Sequence, residues 1–191
     1  MLQNNDKEKI RSKKIREQVE QGILPKANFA RIQKALQDTK KPNVLDIFGF
    51  LSAKKKSKGV IQDLGLVSVQ KVTQAFATYL VDSMQNSTTS PMDVFKYHAS
   101  GTDNTAESNT QTALGTEVET RSAGTTEEDS SSIYKTVSTL VYTGTHSIVE
   151  HGVFSASSGG TMLDRSVITA VPVENTDEIE WTYKLTVSAE A

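Results

Sequence analysis

The densest cluster of chemically capable side chains in the sequence is His-Ser-Ile-Val-Glu-His at positions 146–151. Two histidines and a glutamate this close partly match the helical zinc motifs of metalloproteases, in which both histidines share one face. The spacing differs by one residue, and the flanking residues favour a strand, on which His146 and Glu150 point one way and His151 the other. Only His98 remains as a third histidine. We therefore predict no metal site and ordinary structural histidines.

Other catalytic arrangements are equally weak. A serine, His151 and Asp164 could be combined into a triad, but no serine lies between glycines as in a nucleophile elbow. The sequence has no glycine-rich loop that ends in Lys-Ser or Lys-Thr, and no cysteine for a nucleophile, a disulfide or a thiolate metal site. The carboxylates at 127–129 lie in a hydrophilic stretch and predict a solvated loop. We predict that the chain is not an enzyme and binds no cofactor.

Glu150 and Arg165 lie on two predicted consecutive strands, where they could form an ion pair. An exposed pair would add little stability. A buried pair would specify strand register more than it would add stability. We predict a structural role for both residues.

The charged residues divide the chain into two unlike parts. Residues 1–60 contain 15 Lys and Arg against 6 Asp and Glu, whereas residues 61–191 contain 6 against 17. The net charge of −2 therefore combines a basic part with an acidic part. A hydrophobic content of 36% is low, which predicts that some of the chain is solvated or ordered only against a partner. No apolar run approaches the roughly 20 residues of a membrane span, so we expect no membrane partner.

The basic part predicts a mainly helical N-terminal arm over residues 1–59. Charged residues that favour helices fill 6–21, a second helix ends before Pro42, and Asn43 can cap a short apolar helix over 43–51. The candidate partner-binding residues are the apolar side chains of the last two helices and the lysines that follow: Phe29, Ile32, Leu36, Leu45, Phe48, Phe50, Lys54, Lys55, Lys56 and Lys58.

The short apolar helix and the lysine run have several interpretations. Together they suit a membrane-surface anchor, a nucleic-acid patch, or a plug that docks into a partner protein. They also suit a short core helix followed by a solvated lysine loop. The membrane interpretation is weakened because the lysines lie beyond the end of the helix and not along its polar face.

Residues 60–91 predict a helix and a linker. Apolar residues recur at steps of three and four, which predicts a helix over 67–85 that packs on its own domain: Val69, Val72, Phe76, Leu80 and Met84. The turn-rich residues 86–91 follow it.

Residues 92–191 predict an antiparallel β-sandwich of seven or eight strands. Of the 46 residues between 100 and 145, 19 are Ser or Thr, and glycines punctuate them at intervals suited to short strands. Apolar and polar residues alternate over 178–187, which indicates one buried and one wet face. Trp181 falls on the buried face, which disfavours carbohydrate binding. The predicted class is α+β, mainly β.

Two tripeptides in the acidic part, Glu150-His151-Gly152 and Asp164-Arg165-Ser166, carry a family resemblance. Together with Phe95 to Thr102 and Val72 to Asp82, they resemble a widespread family of tailed-bacteriophage virion proteins. The similarity spans about residues 60–191 and leaves out residues 1–59.

The resemblance implies a non-enzymatic virion protein, assembled in the host cytoplasm, most specifically a capsid decoration (cement) protein. Such a protein would have a jelly-roll-like sandwich, form homotrimers, and bind the major capsid protein through its N-terminal arm to stabilise the head. A tail, neck or head-fibre component of the same particle is the alternative. A nucleic-acid-binding arm is a further alternative, disfavoured because the arm has few aromatic residues and the acidic body repels phosphates.

Overall fold

A computed structural model describes residues 46–85 and 92–188 of the chain. These residues form nine strands, one α-helix and a 3₁₀ turn at Met92–Val94. The elements are β1 (Asp46–Ser57), β2 (Val60–Lys71), α1 (Gln74–Gln85), β3 (Tyr97–Gly101), β4 (Glu117–Ala123), β5 (Thr125–Ser130), β6 (Ile133–Val141), β7 (His146–Phe154), β8 (Met162–Val173) and β9 (Glu178–Ser188). The mainly β class predicted from the sequence is confirmed. Among the described residues, no helix is long and apolar enough to cross a membrane.

The strands form two antiparallel sheets that share one core. The five-stranded sheet has the order β2-β1-β9-β6-β5, and the four-stranded sheet has the order β4-β3-β7-β8. Both sheets contribute buried side chains to the same hydrophobic cluster, among them Leu51, Leu140, Val153, Leu163 and Trp181. The sheets therefore pack face to face as two layers of a sandwich.

Strand β9 lies in the middle of the five-stranded sheet, between β1 and β6. Ile179, Trp181, Tyr183 and Leu185 are buried, and the residues between them are partly exposed. The predicted alternation and the core position of Trp181 are confirmed. Val187 breaks the pattern with 39% exposure, because it lies near the end of the strand.

The first described residues correct the expected helix over 43–51. From Asp46 onward the chain forms β1, which pairs with β9 along its length and places Leu51 and Ala53 in the core. A short apolar run suits a buried strand as well as a helix, and here tertiary pairing decides. The expected boundary between arm and body at residues 59 and 60 falls at the turn of the β1–β2 hairpin.

The predicted helix over 67–85 begins later than expected. Residues up to Lys71 form β2, where the β-branched residues Val67 and Val69 suit a strand. Helix α1 starts at Gln74, directly after Thr73, whose Oγ1 accepts a hydrogen bond from the Phe76 amide at 3.1 Å. This is the geometry of an N-cap, so the cap sets the start of the helix.

Candidate functional site

The two tripeptides that carry the family resemblance lie beside each other on β7 and β8, where His151 pairs with Ser166. Alternation along the strands sends Glu150 and Arg165 to the outer face of the four-stranded sheet, while His151, Asp164 and Ser166 enter the core. All five residues are at most 3% exposed. Each tripeptide therefore contributes to two buried polar groups, one on either side of the sheet.

We call the group on the outer face the outer cluster, which is the ion pair of Glu150 and Arg165. Nε and Nη2 of Arg165 each lie 2.8 Å from Oε2 of Glu150. The predicted pairing of these residues across the strands is confirmed. A buried ion pair loses much of its attraction to desolvation unless its remaining donors and acceptors are also hydrogen-bonded.

Residues 102–116, the loop between β3 and β4, satisfy the remaining groups of the outer cluster. The Glu150 carboxylate accepts three backbone N–H groups, those of Asp103, Gly115 and Thr116, at 3.2, 3.0 and 2.8 Å. Arg165 donates to the backbone carbonyls of Thr105 and Asp103 at 2.9 and 3.2 Å. The ion pair therefore holds a whole loop in place, a broader role than strand register.

Two further contacts hold the middle of this loop. The Glu107 carboxylate accepts hydrogen bonds from the Gln70 side chain at 2.8 Å and from the Val167 amide. Leu114 packs into a second small core with Ala99, Phe154 and Met162. The 102–116 loop is thus attached to β2, β7 and β8.

We call the group inside the sandwich the core cluster. It begins with two histidines, His98 of β3 and His151 of β7, whose Nδ1 and Nε2 atoms lie 3.0 Å apart. Nε2 of His98 lies 3.2 Å from Oγ1 of Thr136, on β6 of the other sheet. The His151 ring contacts the Trp181 ring, with centroids 4.7 Å apart. This row of rings and hydroxyls connects the two sheets.

Burial keeps both imidazoles neutral at pH 7. It lowers the pKa of His98 to about 3. It also lowers the pKa of His151 well below the usual value, and the charge of a protonated His98 would lower it further. Neither ring contacts a carboxylate in the described structure that would favour its charged form.

Hydroxyl groups complete the layer around the rings. The Tyr142 and Ser100 hydroxyls lie 3.0 Å apart. Burial raises the pKa of Tyr142 to about 12, against smaller opposing effects of Ser100 and of the Trp181 indole. That indole N–H lies near Tyr142 without reaching hydrogen-bond geometry, and among the described residues its Nε1 is the one buried side-chain polar atom without a partner.

Asp164 is the acidic member of the core cluster. Its carboxyl group accepts hydrogen bonds from Ser166 at 3.0 Å and from Tyr183 at 3.3 Å. Burial raises the pKa of Asp164 to about 7, although both hydrogen bonds favour the charged form. Gly49 of β1 packs directly on this pair, and a Cβ there would overlap the Tyr183 hydroxyl and the Asp164 carboxyl group.

The structure places the four candidate lysines on β1 and its turn, so the interpretation of a core helix followed by a lysine loop is wrong. Each lysine has a carboxylate partner: Lys54–Glu180, Lys55–Asp177, Lys56–Glu178 and Lys58–Glu174, at 3.2, 2.9, 3.0 and 3.3 Å. Lys55 is the most buried of them and also donates to the Pro172 carbonyl at 2.6 Å. Hydrogen bonds from Ser57 and then Lys55 lower the pKa of Asp177 to about 2.

The remaining candidate residues divide into two sets. Phe48 and Phe50 lie on β1, are partly buried, and alternate with Gly49 and Leu51, which face the core. The other candidates lie outside the described residues, and their role in partner binding stays a prediction: Phe29, Ile32, Leu36 and Leu45.

Sequence reasoning found part of the core cluster and missed the rest. The opposite orientations of Glu150 and His151 are confirmed. Strict alternation fails earlier in the segment, because the pairing of β7 with β8 is irregular between Ile148 and Glu150, and Ile148 faces the core as His151 does. The contact of His98 with His151 was missed, since 53 residues separate them.

No family model, no curated protein and no solved structure matches this chain. Among the described residues, no group of three or more His, Cys, Asp or Glu could hold a metal ion.

Proposed function

We propose that the chain is a non-enzymatic structural protein of a tailed-bacteriophage virion, most specifically a capsid decoration protein that binds the major capsid protein. Its N-terminal residues would make the attachment, and the sandwich would lie on the outside of the head as part of a homotrimer. A jelly-roll-like connectivity of the strands belongs to the same proposal.

The observation that supports this proposal is the burial of the titratable side chains that could otherwise form a catalytic site. His98, Glu150, His151, Asp164 and Arg165 are all at most 3% exposed. Each of them makes hydrogen bonds to other side chains or to the backbone of the same chain. Residues that are buried and occupied in this way stabilise a scaffold, and a scaffold is what a capsid-binding protein requires.

The distribution of charge supports a protein partner over nucleic acid. Residues 1–45 carry 11 Lys and Arg against 5 Asp and Glu, and an acidic body follows them. The lysines of β1 and its turn are paired with Glu174, Asp177, Glu178 and Glu180, so they offer little free positive charge to phosphates. An attachment through residues 1–45 leaves the sandwich intact.

Antibody labelling of intact particles tests the proposal. An antibody raised against the folded body would label virions of the phage that encodes this sequence. Decoration predicts label over the whole head, whereas a tail, neck or head-fibre component predicts label at one position. Purified particles without any label would contradict both placements.

A truncation tests the attachment. Because β1 is paired on both sides within the five-stranded sheet, the deletion should remove residues 2–45 and leave β1 in place. We expect the truncated protein to keep the buried environment of Trp181, seen by fluorescence, and to lose binding to undecorated heads. Stoichiometric binding by the truncated protein would overturn the attachment through these residues.

A further inference from the structure

The two imidazoles of the core cluster connect the two sheets through a single row of contacts. His98 lies between His151 of its own sheet and Thr136 of the other sheet, at 3.0 and 3.2 Å. His151 lies against Trp181 of the other sheet. All four side chains are at most 1% exposed, so water cannot replace these contacts without local opening.

Strand β3 is attached to the other sheet by side-chain hydrogen bonds that include this row. It has five residues, and two of its side chains make hydrogen bonds toward β6 and the turn that follows: His98 to Thr136, and Ser100 to Tyr142. A third hydrogen bond runs from the Tyr134 hydroxyl to the backbone carbonyl of Phe95, just before β3. Two of these three bonds are made by tyrosine hydroxyls, which stay neutral in acid, whereas the bond of His98 is made by a ring that can take up a proton.

The geometry of the pair limits how many protons it can hold. In the neutral pair, one of the two facing nitrogens carries a hydrogen and the other accepts it. A first added proton can go to an outward-facing nitrogen, which leaves the hydrogen bond between the rings in place. A second proton puts an N–H group on both facing nitrogens, so the 3.0 Å contact then joins two donors with like charges. The doubly protonated pair must separate.

We propose that the His98–His151 pair is an acid-operated latch, which holds β3 and β7 against β6 and β9 while both rings are neutral and releases β3 when the pair takes up protons. The structure surrounds the latch with groups that cannot compensate the new charge. Strand β6 presents Thr136, β9 presents Trp181, and β3 itself presents Ser100, all of them neutral.

Four titratable groups face this core from the packed strands: Tyr134 of β6, Tyr142 after β6, Asp164 of β8 and Tyr183 of β9. Lys55 of β1 lies near the rim, where it is paired with Asp177. Burial raises the pKa of each of the three tyrosines, so they stay neutral in acid. Asp164 is also protonated in acid, because its pKa is about 7. The tyrosines and Asp164 therefore supply no negative charge when the latch is protonated, and the Asp177 carboxylate is already paired with Lys55.

The expected pH dependence has a definite sign. An unfolded histidine binds its proton near pH 6.5, whereas the buried rings bind theirs at much lower pH. The unfolded or opened state therefore takes up more protons below pH 6.5, and acid favours it. Each buried histidine raises the unfolding constant about tenfold between pH 7.5 and pH 5.5. Asp164 acts in the opposite direction, so the histidine effect must be isolated by comparing variants.

His151→Gln isolates the effect. Glutamine has the length to keep a hydrogen bond to His98 and cannot take up a proton. We expect the ratio of the wild-type to the variant unfolding constant, measured in urea, to rise about tenfold from pH 7.5 to pH 5.5. His146→Gln makes the same change on the same strand outside the core, where the ring lies 3.7 Å from a Glu119 carboxylate oxygen, so it shows what replacing a histidine does apart from the latch. A His151→Gln ratio that stays constant would overturn the latch.

A second measurement is made on Asp164→Asn, which lacks the opposing titration, and decides the question if His151→Gln does not fold. Hydrogen exchange reports opening strand by strand. Corrected for intrinsic rates, exchange of the β3 amides should accelerate about tenfold or more from pH 7.5 to pH 5, while the amides of β9 keep their protection. Unchanged β3 exchange would contradict the proposal.

Discussion

The outer cluster and the core cluster are built from adjacent residues of the same two strands, yet the outer cluster buries an ion pair and the core cluster disfavours charged side chains. Glu150 and Arg165 are buried as an ion pair whose hydrogen-bonding groups are met by the backbone of the 102–116 loop. His151 and Asp164 face side chains alone, and burial disfavours their charged forms. A buried group keeps its charge where backbone dipoles supply partners, and loses it where they do not.

The two clusters also connect different parts of the fold. The outer cluster connects a loop to a sheet through an arginine, which stays protonated in proteins. The core cluster connects the two sheets and contains groups whose pKa differs between the folded and unfolded states: burial lowers that of His98 to about 3 and raises that of Asp164 to about 7. The effects of substitutions in the two clusters should therefore differ in size, in where they loosen the structure and in pH dependence.

The largest effect is expected for Arg165→Met, which leaves the Glu150 carboxylate buried without its cation. Removing one partner of a buried ion pair costs about 3–5 kcal/mol. We expect a loss of this size in urea unfolding at pH 7, together with faster hydrogen exchange at Gly115 and Thr116, whose amides bind Glu150.

Lys54→Met is the control for this variant, because Lys54 and Glu180 form an ion pair with half-exposed side chains. Its cost should stay within about 1 kcal/mol. Equal costs for the two variants would remove the distinction between a buried organising pair and an ordinary surface pair.

The next effect is a pH dependence. The pKa of Asp164 is raised in the folded protein, to about 7 from an ordinary 3.8. The folded state therefore holds an extra proton between those values, and this group makes the protein less stable as the pH rises through the window. Asp164→Asn removes the titration, so relative to the wild type it should become more stable by roughly 3 kcal/mol from pH 4.5 to pH 8.

Urea unfolding at several pH values measures this difference. In the amide, the nitrogen that replaces one carboxyl oxygen cannot accept the hydrogen bond made there by Ser166 or Tyr183, so the variant also loses a hydrogen bond, which lowers its stability in addition to the change with pH. A stability difference that does not change with pH would mean that the Asp164 carboxyl group is ionised in both states.

The sequence predicts the local part of this arrangement and leaves out the part that depends on the fold. Alternation placed β9 and Trp181 correctly, because a period of two is a property of the strand itself. It also separated Glu150 from His151. The apolar run that became β1 was interpreted as a helix, since a run this short does not distinguish a helix from a strand buried between two neighbours.

The clusters themselves required tertiary information. His98 meets His151 only because β3 pairs with β7, and the loop amides reach Glu150 only because the loop crosses the sheet. The lysines of β1 form a dense basic run in the sequence, but their partners all lie more than 100 residues further along the chain. Because the partners are so far apart in the sequence, the sequence alone does not show which lysines are paired with carboxylates.

The smallest of the expected effects concerns Gly49, which no sequence pattern singled out. A methyl group added at this position would overlap the Tyr183 hydroxyl and the Asp164 carboxyl group, both nearly fully buried. Overpacking of this kind costs about 1–3 kcal/mol. Gly49→Ala should therefore lower the stability by this amount, and it should displace the core cluster without releasing the 102–116 loop.

Urea unfolding and hydrogen exchange together test both statements. Ser52→Ala on the same strand is the control, because its partly exposed side chain alternates with the core-facing residues and its loss should cost no more than about 0.5 kcal/mol. Faster exchange at Gly115 in Gly49→Ala would show that the two clusters are mechanically coupled through the four-stranded sheet. Unchanged exchange there would establish them as independent, which is what the alternation of their residues across the sheet predicts.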